Sequence, residues 1–436
     1  MANVKPFRGY RYTLNTPENL GDFCAPPYDM IDDAMVDQLY AKHPNNVVRI
    51  TQGKREDADT ANKDRHVRAA RFLQEWINGK IIAQDDCDSV YIYKQQFTTN
   101  QNGVPVDHVR TGICVLVKLV EFEEQIVFPH EYTLSGPKQD RYELMETTLA
   151  NTGQIFGLAS DDDSALYALI RKITDASPLT GVFTDGNGVT HTLYRCTDTA
   201  RIAQVTELMK TRNILIADGH HRYETALRFY KDRGDEAYSY VMMTLVSMAD
   251  PGLVIRPFHR LICRSDSGRV VDNMSAELSR YFDVELLGPA SAEQVNIALS
   301  QNSPTEIAFW DTASGELYGL RLNAAGERLL AEKMPQQSPY WRRLDVSKIN
   351  GVIVNSILDL PLDGRVLHDI VHYVNDVDAG AQQLAARGTE YYGGFFIRPM
   401  SINVVNETVK GGERMPQKST NFFPKVYCGL VLNKMR

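Results

Sequence analysis

The middle third of the sequence alternates between two periodicities, and this alternation constrains the fold more than any other feature. Short apolar runs at Ile155–Ala159 and Asn213–Ala217 predict buried strands. Between and after them, apolar residues recur at three- and four-residue spacings, which predicts amphipathic helices over 138–151, 199–211 and 220–233. Strands that alternate with helices in this way indicate an α/β arrangement, so we expect an α/β fold of the mixed (α+β) kind.

The flanking regions carry further patterns. Before residue 127, the sequence predicts helices over 31–42 and 60–78 and two strands joined by a hairpin at Asn100–Gly103. A second hairpin is predicted over Asp185–Gly188. Near the carboxyl end, the pattern predicts helices over 345–358 and 366–387 and a short apolar strand at 393–399.

Composition and charge exclude several classes of protein. Hydrophobic residues make up 43% and charged residues 23% of 436, a balance typical of soluble globular proteins. The net charge is −8 and the lysines and arginines are spread along the chain, which argues against a nucleic-acid partner. With no long apolar run and no CxxC pair among six cysteines, we expect no membrane segment, no disulfide framework and a cytoplasmic location.

The turn Asp218–Arg222, which reads Asp-Gly-His-His-Arg, concentrates most of the chemistry. It follows a predicted buried strand and falls in the first turn of a predicted helix, where backbone N–H groups lack helical partners. Cations are unfavourable at this end of a helix, so Arg222 needs a compensating anion. A phosphate fits, because free amides, a glycine and a forked guanidinium form phosphate sites. The alternative is structural: Asp218 caps the helix, the histidines are solvated, and Arg222 pairs with Asp218 or Glu224.

Four motifs together resemble the domain-of-unknown-function 1015 family. They are Ala-Pro-Pro-Tyr-Asp at Ala25–Asp29, His-Glu-x-Thr at His130–Thr133, Asp-Gly-His-His-Arg at Asp218–Arg222, and Met-Pro-x-Lys-Ser-Thr at Met415–Thr420. The resemblance extends over essentially the whole chain, but this family implies no firm activity.

The turn is also similar, more distantly, to the nucleotide-binding loop of the ParB and sulfiredoxin-like superfamily, and especially of its free serine kinases. Those kinases carry a His-Glu pair upstream and a Pro-Lys-Thr-Thr segment near the end, and here His130–Glu131 and Pro416–Thr420 stand in the same order. Gln417, the long stretch between Glu131 and Asp218, and the N-terminal region depart from that pattern.

The resemblance to the kinases implies a set of roles. Glu131, Asp218 and His220 would be catalytic, with Glu131 as the base whose pKa burial should lift toward neutrality. Asp218 would also help to hold Mg²⁺. Nucleotide, ATP or ADP, would contact Gly219, His220, His221, Arg222, Lys418, Ser419 and Thr420, while Tyr28, Asp29 and His130 are weaker candidates for contact with a small-molecule substrate.

The resemblance and the patterns together predict four units. These are an N-terminal α/β domain (1–127), a ParB/sulfiredoxin-like phosphate-binding core (128–260), an α/β subdomain (261–340), and a C-terminal helical region with the active-site tail (341–436). The sequence leaves the oligomeric state open.

Two other features have structural interpretations. Tyr28 and Asp29 lie in a Pro-Pro turn, which is more often structural than a substrate or metal contact. His368 and His372 are four apart on a predicted helix, but zinc proteases place a glutamate after the first histidine, so we interpret the pair as a helix face.

Two functions remain open at this stage. The first is a nucleotide-dependent phosphotransferase acting on a small hydroxyl metabolite, with serine or phosphoserine as the leading candidate. The alternative is a nucleotide-binding regulatory module of the ParB type without phosphotransfer. Neither a GxxxxGK[ST] loop nor a GxGxxG loop occurs, so a P-loop ATPase and a dinucleotide-binding Rossmann domain are not supported.

Overall fold

A computed structural model describes residues 1–56, 59–60, 64–101, 104–132, 136–264, 269–362 and 369–435. Its strands are β1 (Val4–Lys5), β2 (Tyr10–Tyr12), β3 (Ile82–Gln84), β4 (Val90–Gln101), β5 (Val104–Lys118), β6 (Val127–Pro129), β7 (Ala150–Asn151), β8 (Ile155–Ala159), β9 (Leu179–Thr184), β10 (Thr190–Cys196), β11 (Ile214–Asp218), β12 (Tyr240–Ser247), β13 (Val254–Arg256), β14 (His259–Cys263), β15 (Phe282–Pro289), β16 (Ile307–Asp311), β17 (Glu316–Leu322), β18 (Val371–Val374), β19 (Tyr391–Ile397), β20 (Asn421–Phe423) and β21 (Asn433–Lys434).

The α-helices are α1 (Leu20–Phe23), α2 (Asp33–Lys42), α3 (Val48–Thr51), α4 (Arg65–Asn78), α5 (Gly136–Thr148), α6 (Ala165–Asp175), α7 (Thr199–Met209), α8 (His220–Arg233), α9 (Met274–Leu278), α10 (Ala292–Ala298), α11 (Ala324–Lys333), α12 (Pro339–Arg342), α13 (Asp345–Lys348), α14 (Val377–Arg387) and α15 (Ile402–Lys410). A π-helix, Ile349–Ile357, continues α13. Short 3-10 turns lie at Pro17–Asn19, Tyr28–Met30, Phe122–Glu124, Glu236–Tyr238 and Gly388–Glu390.

A nine-stranded sheet is the larger of the two main sheets. Its order is β6-β11-β8-β12-β5-β4-β10-β9, and β1 pairs with the end of β5. The β6–β11 and β8–β12 pairs are parallel, whereas the other pairs are antiparallel. Buried residues of α6, α7 and α8, among them Ile170, Val205 and Tyr223, pack in one hydrophobic cluster with strand residues on one face of this sheet. β11 is therefore held by β6 and β8 on its two sides, and α8, which follows it, packs against one face of the sheet.

A six-stranded antiparallel sheet forms the second half. Its order is β15-β17-β16-β19-β14-β18. The chain enters it after β13 and returns as β20, and these two strands pair with each other from Val254 opposite Phe423 to Arg256 opposite Asn421. The second sheet is thus an insertion between two paired strands, and the tail that follows it packs back on the first sheet.

The mixed α/β class expected from the sequence is confirmed. The strands and helices predicted around the turn at Asp218 are present, with ends shifted by a few residues, and β9 and β10 form the second predicted hairpin. β4 and β5 pair as the first hairpin, whose tip at 102–103 lies outside the described residues. The nine-stranded sheet takes strands from both sides of residue 127, so the predicted division there does not coincide with a boundary between sheets. The four-domain division stays a prediction.

The helix predicted over 366–387 is wrong in part. Val371–Val374 is a strand at the edge of the second sheet, paired with β14, and the helix begins only at Val377. His372 therefore lies on a strand and not on the predicted helix, and its Nδ1 contacts the Tyr391 hydroxyl at 2.8 Å. His368 itself lies outside the described residues.

Within the described part of the chain, no helix combines the length and the apolar character that crossing a bilayer requires.

Candidate functional site

The Asp218–Arg222 turn lies where β11 ends and α8 begins. Ile214 to Ala217 are buried, because β11 lies between β6 and β8, and Asp218 is the last residue of the strand. Gly219 follows with a φ of +91°, a conformation that side chains disfavour. An added Cβ at Gly219 would lie 2.9 Å from Nε of Arg222. Glycine thus permits both the reversal of the chain and the close approach of the Arg222 guanidinium.

The Asp218 carboxylate pairs with two positively charged side chains. Its Oδ2 accepts a hydrogen bond from Nη2 of Arg222 at 2.7 Å, and its Oδ1 accepts one from Nζ of Lys425 at 2.9 Å. Burial opposes the charge on Asp218, but the charges of Lys425 and Arg222 outweigh it and hold the pKa of Asp218 below its ordinary value. Arg222 also donates to the carbonyl oxygen of Gln154. The pairing of Arg222 with Asp218 is the one that the structural alternative anticipates, so any phosphate at this turn must compete with a carboxylate.

The two histidines of the turn are neutral at neutral pH. Burial and the neighbouring His130 lower the pKa of His220 to about 3, and burial also lowers the pKa of His221. Nε2 of His220 accepts a hydrogen bond from the backbone N–H of His130 at 3.3 Å, so the proton of the neutral ring lies on Nδ1. These rings contribute N–H donors rather than positive charge.

His130, just after β6, connects the turn to the tail. Its Nδ1 lies 2.6 Å from the carbonyl oxygen of Ile216 and therefore donates to it, and its Nε2 lies 2.6 Å from Oγ1 of Thr420. The His130 ring is buried, at 4.7 Å from the His220 ring between centroids. The histidine is an internal contact between segments, while Thr133 of the same motif lies outside the described residues.

Glu131 anchors the tail. Its Oε1 accepts hydrogen bonds from the backbone N–H groups of Ser419 at 3.1 Å and Thr420 at 3.0 Å, and from the Thr420 hydroxyl at 3.2 Å. Burial raises the pKa of Glu131, but the contact with His130, the electrostatic influence of the His130 and His220 rings and the Thr420 amide lower it to about 2. The expectation that the pKa of Glu131 approaches neutrality is therefore wrong, because hydrogen bonds to the ionised form outweigh burial.

The Lys418–Thr420 segment divides into two parts. Ser419 and Thr420 are buried, and the Ser419 hydroxyl donates to the carbonyl oxygen of Pro416 at 2.6 Å. Lys418 is exposed, with a φ of +56°, and among the described residues it forms no ion pair. Its carbonyl oxygen accepts a hydrogen bond from Nη2 of the buried Arg260 at 3.0 Å. The serine and threonine are thus structural in this state, whereas the Lys418 ammonium is available to an anion.

Tyr28 and Asp29 lie beside the turn. Tyr28 lines a narrow cleft together with Arg141 and Arg222, and the Arg141 guanidinium lies 4.1 Å from the centre of the Tyr28 ring. Burial and the Asp29 charge raise the pKa of Tyr28 to about 12. Desolvation and the Asp218 charge raise the pKa of Asp29, while Arg222 and Lys425 oppose the shift. Both residues therefore lie within electrostatic range of the Asp218 cluster.

Three residues of the site escape the sequence analysis. Lys425 is bonded to Asp218 from 207 positions away, and Gln154 presents its carbonyl to Arg222. Arg110 is fully buried and donates to the carbonyl of Phe423 at 2.9 Å and to that of Pro424, which fixes the chain just before Lys425. A lysine five residues after the Lys-Ser-Thr segment is the signal that could have indicated Lys425.

Three segments far apart in sequence therefore meet around one corner: His130–Glu131, Asp218–Arg222 and Lys418–Lys425. An α/β fold with a charged turn at a strand end, closed by a carboxyl-terminal tail, defines a candidate anion-binding protein. The chain belongs to the family described as "Protein of unknown function (DUF1015)", which matches residues 4–347. The Met415–Thr420 segment lies outside the matched residues.

Solved structures to which the chain is similar include a mutant free serine kinase in complex with ADP, at 11% identity and a TM-score of 0.36, covering 71% of this chain and 86% of that one. Another is a truncated form of SbnI from Staphylococcus aureus, at 12% identity and a TM-score of 0.35, covering 74% and 87%. A third is a conserved hypothetical protein from Pyrococcus furiosus, at 12% identity and a TM-score of 0.34, covering 74% and 95%. No curated protein matches the chain.

Proposed function

We propose that this protein is a nucleotide-dependent phosphotransferase that acts on a small hydroxyl metabolite, with serine or phosphoserine as the leading candidate. The observation that carries the proposal is the convergence of Glu131, the Asp218–Arg222 turn and the Lys418–Lys425 tail. Phosphoryl transfer requires positioning and charge neutralisation more than covalent chemistry, and this corner offers both. The choice of serine rests on the resemblance of the three motifs to those of free serine kinases.

Phosphates would bind on the Arg222 side of the turn. Arg222 and Lys425 both bear positive charge, Lys418 adds an exposed ammonium, and the first-turn amides of α8 receive no side-chain cap from Gly219. Arginine can engage two phosphate oxygens at once, while lysine acts as a point charge. An incoming phosphate would replace the Asp218 carboxylate as the partner of Arg222 or Lys425.

Mg²⁺ fits this donor set only in part. Asp218 is the one site carboxylate at the turn, and both of its oxygens accept hydrogen bonds from cations. Mg²⁺ at kinase sites is commonly held by one or two carboxylates together with substrate phosphates, and it neutralises charge that develops on them. We assign Asp218 as the residue that would hold Mg²⁺, with Asp29 nearby. Lys425, no longer bonded to Asp218, would then be available to contact the phosphates.

Glu131 would orient the acceptor hydroxyl. Its Oε1 is committed to Ser419 and Thr420, and a carboxyl with a pKa of about 2 is a weak base. In a loose phosphoryl-transfer transition state the acceptor needs little activation, so an ionised carboxylate that accepts its hydrogen bond is sufficient. The role assigned to Glu131 is therefore to orient the acceptor hydroxyl. Glu131 would accept the hydroxyl proton only after most of the bond to phosphorus has formed.

The proposal is tested by incubating the protein with ATP or ADP, Mg²⁺ and serine and following products by phosphorus NMR. Phosphoserine formed with the wild type, abolished in Glu131→Gln with nucleotide affinity retained, supports it. Arg222→Ala should instead weaken nucleotide binding by about tenfold or more, which corresponds to the loss of a charge-assisted hydrogen bond. If the wild type binds nucleotide but transfers no phosphoryl group to any of a panel of small hydroxyl compounds, the phosphotransferase assignment fails.

The regulatory module remains the second candidate because of one observation. The low pKa of Glu131 and its three hydrogen bonds to the tail suit a carboxylate that locks the tail rather than one that takes a proton. Nucleotide binding without turnover, accompanied by a change in proteolytic protection of the tail, would favour this function.

A further inference from the structure

A second, larger opening lies on the Lys425 side of Asp218. This crevice is formed by three parts of the chain: residues 21–42, the tip of the β9–β10 hairpin at 183–189, and residues 421–427. Its apolar lining includes Met30, Met35, Leu39, Phe183, Phe423 and Tyr427. Met30 is 50% exposed, so the mouth presents apolar surface to solvent.

The hairpin wall of the crevice is held rigidly. Asp185 accepts hydrogen bonds from the backbone N–H groups of Asn187 at 2.8 Å and Val189 at 3.0 Å, which fix the hairpin turn. The Tyr427 hydroxyl donates to the same carboxylate at 3.1 Å. The buried His191 ring lies 4.5 Å from the Tyr427 ring and 4.6 Å from the Phe183 ring. A wall built from packed aromatic rings is preorganised to contact a flat ligand.

One lysine connects the crevice with the candidate site. Lys425 lines the crevice, and its ammonium bonds to Asp218. Asp218 in turn bonds to Arg222, which lines the cleft on the far side. Lys425 therefore links the lining of the crevice, through Asp218, to the Arg222 turn.

We propose that this crevice holds the nucleoside part of the phosphate donor, with its phosphates directed past Lys425 toward Arg222. The inference rests on the proposed function and adds a location and a chemical class of ligand to it. Aromatic and methionine side chains suit the faces of a nucleobase, and stacking on such walls tolerates different bases. The lining is largely apolar and aromatic, whereas serine is small and polar, which favours the nucleoside over the acceptor.

The first experiment locates the base by photolabelling. The full-length protein is irradiated with 8-azidoadenosine triphosphate, and the labelled peptides are identified by mass spectrometry, with ATP as competitor. We expect ATP-protected label within 21–42, 183–189 or 421–427. Protected label in the cleft segment 141–155 instead, with ATP binding intact, overturns this inference but not the proposed function. Absence of binding of both ATP and ADP in equilibrium dialysis overturns the proposed function itself.

The second experiment fills the crevice. Gly186 lines it, and a Cβ added there would meet no neighbouring atom within 4 Å, so Gly186→Trp adds bulk at the mouth without a clash at the backbone. We expect this variant to weaken ATP binding by about fivefold or more, as loss of one stacked base does. Binding of inorganic triphosphate, which lacks a base, should be unchanged, and Gly186→Ala is the matched control. Equal affinity for ATP in both variants and the wild type, or an equal loss for triphosphate, overturns the proposal.

Discussion

Oε1 of Glu131 accepts three hydrogen bonds from the tail, so this carboxylate contributes to holding the tail in place. Replacing the ionised carboxylate by an amide retains the shape but weakens each bond. We expect Glu131→Gln to lower the free energy of unfolding at pH 7 by about 2 kcal/mol, the usual value of hydrogen bonds to a charged group. Urea unfolding measures it, with the exposed Glu123→Gln as control.

The pH dependence of that difference follows from the depressed pKa of Glu131. Because the folded value of about 2 lies below the ordinary value of 4.5, its stabilisation is complete above pH 4.5 and is lost as pH falls toward 2. The gap between wild type and Glu131→Gln should therefore narrow between pH 5 and pH 3. A gap that widens on acidification would contradict the assigned ionisation.

His220 should make a separate contribution at higher pH. Its pKa in the folded chain, about 3, lies below the ordinary 6.5. Between these pH values the unfolded chain is therefore protonated at His220, whereas the folded chain is not. Stability then falls as pH drops from 6.5 toward 3, by up to about 1.4 kcal/mol for each pH unit. His220→Gln keeps an acceptor for the His130 N–H and should reduce the dependence of stability on pH in urea unfolding. The buried His259, whose pKa is also lowered to about 3, keeps its own share, and His43→Gln should leave the dependence unchanged.

At this scale, sequence reasoning succeeded where chemistry is local. Asp218, Gly219 and Arg222 are close in sequence, so a turn that concentrates charge could be predicted from their order. The convergence with Glu131 and Thr420 came only from resemblance, and Lys425 was missed because its partner lies 207 positions away. The pKa of Glu131 was misjudged for the same reason, since the amides that stabilise its charge belong to the tail.

The geometry at the start of α8 depends on Gly219. We expect Gly219→Ala to destabilise the protein and to weaken nucleotide binding, because the added methyl group would displace the Arg222 guanidinium 2.9 Å away. Gly234→Ala, at the opposite end of α8, is the matched control, since its φ of +62° imposes similar backbone strain of about 1 kcal/mol but no atom lies within 4 Å of the added carbon. Thermal unfolding and nucleotide affinity separate the two effects. Equal affinity in both variants would show that Arg222 does not bind the ligand.

Elements with local periodicity were predictable, and edge strands were not. The helices and strands around β11 have clear spacing of apolar residues, and each formed close to its predicted position. Val371–Val374 was predicted as part of a helix, yet it pairs with β14, whose residues lie more than a hundred positions earlier. A four-residue edge strand has too little pattern of its own, because its stabilising partner is distant in sequence.

Residues 430–432 pack into the core and join the end of the described chain to its beginning. Leu430, Val431 and Leu432 are buried, and Tyr10 and Leu432 exchange two backbone hydrogen bonds of 2.9 Å. Truncation after Gly429 should lower the free energy of unfolding by about 5 kcal/mol, from burial of about 1.5 to 3 kcal/mol for each large apolar side chain. It should also weaken nucleotide binding, because Lys425 loses its support. Truncation after Asn433 keeps the three side chains and serves as control in urea unfolding, and equal midpoints would contradict this account.

The insertion of the second sheet between β13 and β20 has a consequence for biosynthesis. Asp218 leaves the ribosome some two hundred residues before Lys425, and the whole second sheet is translated in the interval. A nascent chain stalled anywhere in that interval has the turn but neither Lys425 nor the donors to Glu131. The corner can therefore assemble only after Lys425 has been translated and has left the ribosome, so a shorter nascent chain presents an incomplete pocket.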